Sequence, residues 1–168
     1  VTSPPSPTTS PAATLPGSDA AWLDAEQERH WRALVRLCVE LPAALDRQLR
    51  RDADLCHAHW ALLVHLADAD DTTRTMSELA DAGGLSASAC SHAVRALEGR
   101  GLVVRRPAEH DRRVQLATLT DAGRDAMAAA APGHVRTVRD LVVDRLSDDQ
   151  LRILGELATT LVGGLDEA

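Results

Sequence analysis

Residues 75–120 read TMSELADAGGLSASACSHAVRALEGRGLVVRRPAEHDRRVQLATLT, and this stretch decides the fold. Thr75-Met-Ser-Glu78 is a capping box: the Thr hydroxyl and the Glu carboxylate satisfy each other's free backbone N–H groups and start a helix. Ala82-Gly83-Gly84 ends that helix, because glycine accepts the left-handed backbone a helix exit needs. Ser86 caps a second helix running to about Glu98, and Gly99-Arg100-Gly101 stops it. Two β-prone runs follow, Leu102–Arg105 and Val114–Leu119, on either side of a polar tip at Pro107–Arg113. A helix-turn-helix followed directly by a basic-tipped hairpin predicts a winged helix, whose second helix enters the DNA major groove.

Helical phase divides that second helix into two faces. Cys90, Ala93, Val94 and Leu97 share one side and are expected to pack inward. Ser88, Ser91, His92 and Arg95 share the other, where hydroxyls, an imidazole and a guanidinium suit base edges and phosphates. Alone, such a face is no more than an ordinary solvated one, but the wing adds to it. Residues 86–113 hold six arginines (95, 100, 105, 106, 112, 113) against Glu98, Glu109 and Asp111, a local +3 in a chain of net −7. Positive charge is concentrated where phosphates would lie.

Ser77-Glu78-Leu79-Ala80, Leu85-Ser86, Leu97-Glu98-x-x-Gly101-Leu102-Val103-x-Arg105-Arg106, Asp111-x-Arg113 and Leu119-Thr120-x-x-Gly123 occur in that order. This series resembles the MarR family of dimeric winged-helix transcription regulators across about residues 75–125, with the flanking helices fitting from about 20 to 165. The resemblance implies a mainly α fold, a winged helix-turn-helix with a small β-hairpin wing between N- and C-terminal dimerisation helices. It implies a sequence-specific, ligand-responsive repressor acting as a homodimer on a pseudo-palindromic operator in double-stranded DNA. Asp111 would brace the wing and Arg113 would reach into the minor groove, with Arg106 and Arg112 on phosphates. Ser86, Ser88, Ser91, His92 and Arg95 complete the DNA-binding set. A small-molecule cavity between the dimer helices and the winged helix would be lined by Leu34, Cys38, His57, Trp60 and Val64. Cys90 departs from the family's usual aliphatic residue but is small and apolar enough to pack.

Around this centre the chain reads as one domain, residues 18–168, behind a disordered Pro/Ser/Thr-rich tail at residues 1–17. The tail has neither the basic nor the apolar region of a signal peptide, and no apolar run is long enough to span a bilayer. Three irregularly spaced cysteines argue against a disulfide framework and for a reducing cytoplasm.

Residues 18–67 and 121–165 are expected to supply the dimerisation and cavity helices. From a cap at Ser18, Trp22, Trp31, Leu34, Val35, Cys38 and Leu41 recur at helical spacing, with Pro42 predicted to kink or interrupt the helix before Leu45 and Leu49. Asp52–Leu55 reads as a connection and His57–Ala67 as a helix placing Trp60, Leu63, Val64 and Ala67 inward. Residues 69–73 read as a loop. An Ala-rich helix from Thr120 is expected to break or kink at Pro132-Gly133. Ser147-Asp-Asp-Gln150 caps a last helix with Leu151, Leu154, Leu157, Leu161 and Leu165 on one stripe. Amphipathic helices at both ends need somewhere to bury their stripes, which a two-fold dimer supplies.

Other chemistries fare worse. Cys56, His57 and His59 are compact enough to suggest zinc, with Cys38, Cys90 and His65 nearby in sequence, but no CxxC or HxxxH spacing occurs. Redox sensing needs an accessible thiolate; Cys38 and Cys90 read as packed thiols and Cys56 as the most exposed of the three. No GxSxG, P-loop, post-strand GxGxxG or HExxH is present, so neither an enzyme nor a cofactor is expected. Two further readings stand beside the repressor: a metal- or redox-sensing regulator, and a winged helix used as a protein-interaction module.

Overall fold

The computed structural model describes residues 22–166, so the tail and the cap expected at Ser18 lie outside the described residues. The chain divides into two compact units, Val1–Val35 and Arg36–Ala168. In the first, helix α1 (Ala25–Ala53) begins. Asp24 caps it: one carboxylate oxygen accepts from the N–H groups of Glu26 and Gln27, both at 2.8 Å, while Gln27 accepts from Asp24 N–H. Trp22, Trp31, Leu34 and Val35 are all exposed.

The second unit holds the rest of α1 and every other element: α2 (His57–Ala67), β1 (Thr73–Thr75), α3 (Met76–Ala82), α4 (Ala87–Gly99), β2 (Val103–Pro107), β3 (Gln115–Leu119), α5 (Asp121–Leu141), a single 3-10 turn (Val143–Arg145) and α6 (Asp148–Asp166). α1 runs through Pro42 and α5 through Pro132, so neither proline interrupts its helix. Both prolines are exposed, so the carbonyl that loses its helical donor can turn to water. α1 ends at Asp54, whose φ of 52° is left-handed, a conformation Asp tolerates better than most side chains.

The helix-turn-helix forms as the sequence dictates. Both halves of the Thr75–Glu78 capping box are made, and Ser86 Oγ accepts from Ala89 N–H. Gly84 and Gly101, at φ 60° and 72°, carry the two exits. After each, an N–H reaches back into the helix, Leu85 to Ala80 O and Leu102 to Leu97 O. Leu49, Leu55, Leu62, Leu63, Leu66, Leu79, Cys90, Val94, Leu97, Val103 and Leu119 form one buried core beneath them.

The sheet has three strands in the order β1-β3-β2, all antiparallel. β1 was not anticipated: its first residue, Thr73, closes the loop expected over residues 69–73. Its alternating Thr-Arg-Thr pairs with β3, and the Thr73 and Thr118 hydroxyls meet at 2.9 Å across the ladder. In α2 the buried residues are Leu62, Leu63 and Leu66, while Trp60 and Val64 are half-buried and Ala67 is exposed. That helix is apolar on nearly every side, so its period could not select a face.

α5 is locked to the root of the wing. Thr120 Oγ1 donates to Gly101 O at 2.7 Å and accepts from Gly123 N–H at 3.0 Å. A Cβ on Gly123 would lie 2.3 Å from Leu102 O, so only glycine permits this approach. At the far end the Ser147–Gln150 capping box forms as expected, and α6 exposes Leu154, Leu157, Leu161 and Leu165.

Candidate nucleic-acid interface

α4 sits on the core through Cys90, Val94 and Leu97, which are fully buried, with Ala93 packed against them. The opposite face, expected to be polar and free, carries Ser88, His92 and Arg95 exposed and Ser91 half-buried. Ser86 has a structural duty as the cap, and its hydroxyl lies 3.1 Å from Ser88 Oγ. Burial pushes the Cys90 thiol up in pKa, consistent with a packed thiol.

The tip of the wing is organised by Asp111. Its carboxylate accepts from Arg113 N–H at 2.9 Å and its carbonyl from Val114 N–H at 3.0 Å, a side-chain-stabilised turn. Arg106, Arg112 and Arg113 are exposed, and they and Arg95 make no ion pair among the described residues. A groove of about 590 Å³ runs between α4 and the wing, lined by Ser77, Ala87, Ser91, Arg105, Arg113 and Gln115 among others. It brings Ser91 and Arg113 together; Ser77, Ala87 and Gln115 were not anticipated, because only the fold places them on its walls.

Two of the six arginines in the basic stretch are engaged elsewhere. Arg105 Nε–H donates to Glu98 Oε2 at 2.6 Å, tying β2 to α4. Arg100 donates to the carbonyls of Ala53 and Asp54 at the end of α1. Arg95, Arg106, Arg112 and Arg113 remain without an ion pair among the described residues, and of these Arg113 lines the groove.

The five residues expected to line an effector cavity are distributed as follows. Leu34 and Cys38 lie exposed on α1, while His57, Trp60 and Val64 fall on one half-buried side of α2. The exposed cysteine is thus Cys38, against expectation; Cys56 is half-buried because its sulfur caps α2, accepting from His59 N–H. The Trp60 ring lies 4.9 Å from that of His134 on α5. His134 Nδ1 is 3.2 Å from Gln48 Oε1, and Gln48, a buried polar side chain only 3% exposed, donates to Asp52. Since Gln48 presents its oxygen to the ring, His134 Nδ1 carries the proton. A separate hollow of about 540 Å³, lined by Leu37, Leu41, Arg47 and Leu141 among others, includes none of the five.

Burial, then the charge on His57, lowers the pKa of His134; burial, then Arg100 and Arg50, lowers that of His59. His59 Nδ1 is buried with no hydrogen-bond partner. Among the described residues no group of three or more His, Cys, Asp or Glu side chains could hold a metal ion. No described helix is long and apolar enough to cross a membrane.

The model of the MarR family matches residues 53–114, the span from the end of α1 to the wing tip. A search of curated proteins finds no match. Among solved structures the chain is similar to Sco3205, a MarR family transcriptional regulator from Streptomyces coelicolor determined in complex with DNA. The two are 42% identical over 86% of this chain and 94% of that one, with a TM-score of 0.83. It is also similar to AbsC, a MarR family transcriptional regulator from the same organism, at 30% identity over 89% and 100% of the two chains and a TM-score of 0.83. BpsR from Bordetella bronchiseptica shares the fold at 19% identity, over 80% and 98% of the chains, with a TM-score of 0.70.

Proposed function

The chain belongs to the MarR family of transcriptional regulators, and from that premise we propose that it is a ligand-responsive repressor binding a pseudo-palindromic operator as a homodimer. The observation that carries the DNA-facing part is the groove between α4 and the wing, where Arg113 lines the wall without an ion pair among the described residues, in a chain that is acidic as a whole. In this reading Ser88, Ser91, His92 and Arg95 approach the major groove. Arg113 enters the minor groove, Arg106 and Arg112 neutralise phosphates, and Ser86 and Asp111 hold the helix and the wing tip in shape. Sco3205, a relative solved in complex with DNA, supports a DNA-binding role. Such a role lies in the cytoplasm, beside the chromosome.

Dimerisation is supported by what one chain leaves bare. Trp31 on α1 and Leu157 on α6 are 55% and 57% exposed, and Leu161 and Leu165 extend the α6 stripe. Apolar helical stripes of that length are solvated at a cost unless a partner covers them. Two chains related by a two-fold axis would present two α4 helices about one turn of DNA apart.

An effector is proposed at the half-buried side of α2 marked by His57, Trp60 and Val64, with Cys38 of α1 as further lining. Binding there would favour a spacing of the two recognition helices that no longer fits the operator. The test is a gel shift on the gene's own upstream region, repeated with planar aromatic acids. One of them is 6-hydroxynicotinic acid, which regulates the DNA binding of BpsR. A specific, salt-sensitive shift released by one of these acids is the expected result. A flat salt response would instead favour a protein-interaction role.

A further inference from the structure

We infer that Arg100 is a positioning residue for DNA recognition: it latches the end of the reading helix α4 to the end of α1 without touching DNA. The residue is the C-cap of α4, and its guanidinium bridges the carbonyls of Ala53 (3.2 Å) and Asp54 at the end of α1. Two helix C-termini, each carrying partial negative charge, are thereby joined through one cation. The left-handed turn at Asp54 leaves those two carbonyls outside the helical ladder, where a planar fork can bond both.

The geometry assigns this contact a role that the core cannot fill. Cys90, Val94 and Leu97 set how deeply α4 sits, and the Leu102–Leu97 and Thr120–Gly101 bonds hold its exit to the hairpin and α5, but none of these is a polar bond to the end of α1. Directional bonds at the C-terminal turn supply the missing restraint: Glu98 to Arg105 on the wing side, Arg100 on the α1 side. Losing the second lets α4 rock, which spoils base-edge contacts that depend on angle while sparing phosphate contacts made by flexible arginines elsewhere.

This inference rests on α4 being the helix that reads DNA, and the experiment separates the two. The full chain selects a duplex from a random-sequence library, and affinities are then measured for that duplex and an unselected one across a salt series. For Arg100→Ala we expect affinity for the selected duplex to fall about tenfold. The unselected duplex should be bound as before, with an unchanged salt slope. Amide exchange at Leu55 and Leu102 should quicken in the free protein, and Arg100→Lys, which keeps the charge but not the fork, should recover only part of the lost affinity. Equal weakening on both duplexes, with a slope shallower by about 0.9, would make Arg100 an ordinary phosphate contact and overturn the inference. So would a lowered melting temperature with an unaltered ratio of the two affinities. If the unmodified chain selects no duplex at all, the DNA-reading premise fails first and Arg100 has nothing to position.

Discussion

Glu98 on α4 and Arg105 on the first wing strand are joined by a 2.6 Å ion pair, each side chain little more than a quarter exposed. The pair ties α4 to the wing, so the two elements proposed to face DNA are braced against each other. Partly sheltered pairs couple more strongly than surface ones, so a double-mutant cycle with Glu98→Ala and Arg105→Ala should give a coupling of about 1 kcal/mol in urea unfolding. A coupling indistinguishable from zero would mean that the wing is held by its strand pairing alone.

Arg113→Ala should weaken binding of the selected operator by about 1–3 kcal/mol while leaving the fold intact. The wing turn does not depend on its guanidinium, because Asp111 holds the backbone N–H of residue 113. Fluorescence anisotropy at several salt concentrations checks this. Unaltered affinity would take the wing tip out of the mechanism.

The lowered pKa values of His134 and His59 make stability depend on pH in a stated direction. A folded-state pKa below the unfolded value means that the unfolded chain binds more protons in the interval between the two. Stability is therefore complete above about pH 6.5 and is lost as pH falls through that value toward the folded-state pKa. Asp46, held down by Arg50 and His57 N–H, and Asp52, held down by Gln48 and Arg51, add a second loss below the ordinary carboxylate range. Thermal melts from pH 8 to pH 5 should show the first decline, and His134→Gln should reduce it. A melting temperature flat across that interval contradicts the assignment.

Leu157→Asp or Leu161→Asp should leave the chain monomeric in light scattering where the unmodified chain forms the proposed dimer, because each places a charge in the middle of the exposed α6 stripe. Binding of the palindromic operator should fall with the loss of the second reading head, while a half-site duplex is less affected. A variant that stays dimeric would move the interface away from α6.

The parts legible in the sequence were those whose physics is local. A capping box, a serine cap and a glycine exit act within a few residues, so the boundaries of α3 and α4 could be read from Thr75, Glu78, Ser86 and Gly101. Burial of Cys90, Val94 and Leu97 followed from helical period, because the other face of α4 is polar. Where contrast was missing the reading slipped. α2 is apolar all round, so Leu62 and Leu66 were passed over for Val64 and Ala67. β1 exists only because β3 lies beside it, and Arg100 found its partners some 46 residues away. Cys38 was read as packed because its neighbours are apolar, yet that stripe is bare on a single chain.

The missing side chain at Gly123 has a mechanical consequence. With Leu102 O pressed against its Cα and Thr120 pinned to Gly101, the first turn of α5 has no clearance to slide over the base of the hairpin. A tilt of α5 must carry the corner between α4 and β2 along with it, as a crank carries its pin. In the proposed regulator, an effector that tilts α5 would therefore swing the α4–wing unit whole, and a small rotation far down α5 would reach a bound duplex enlarged by the length of the arm.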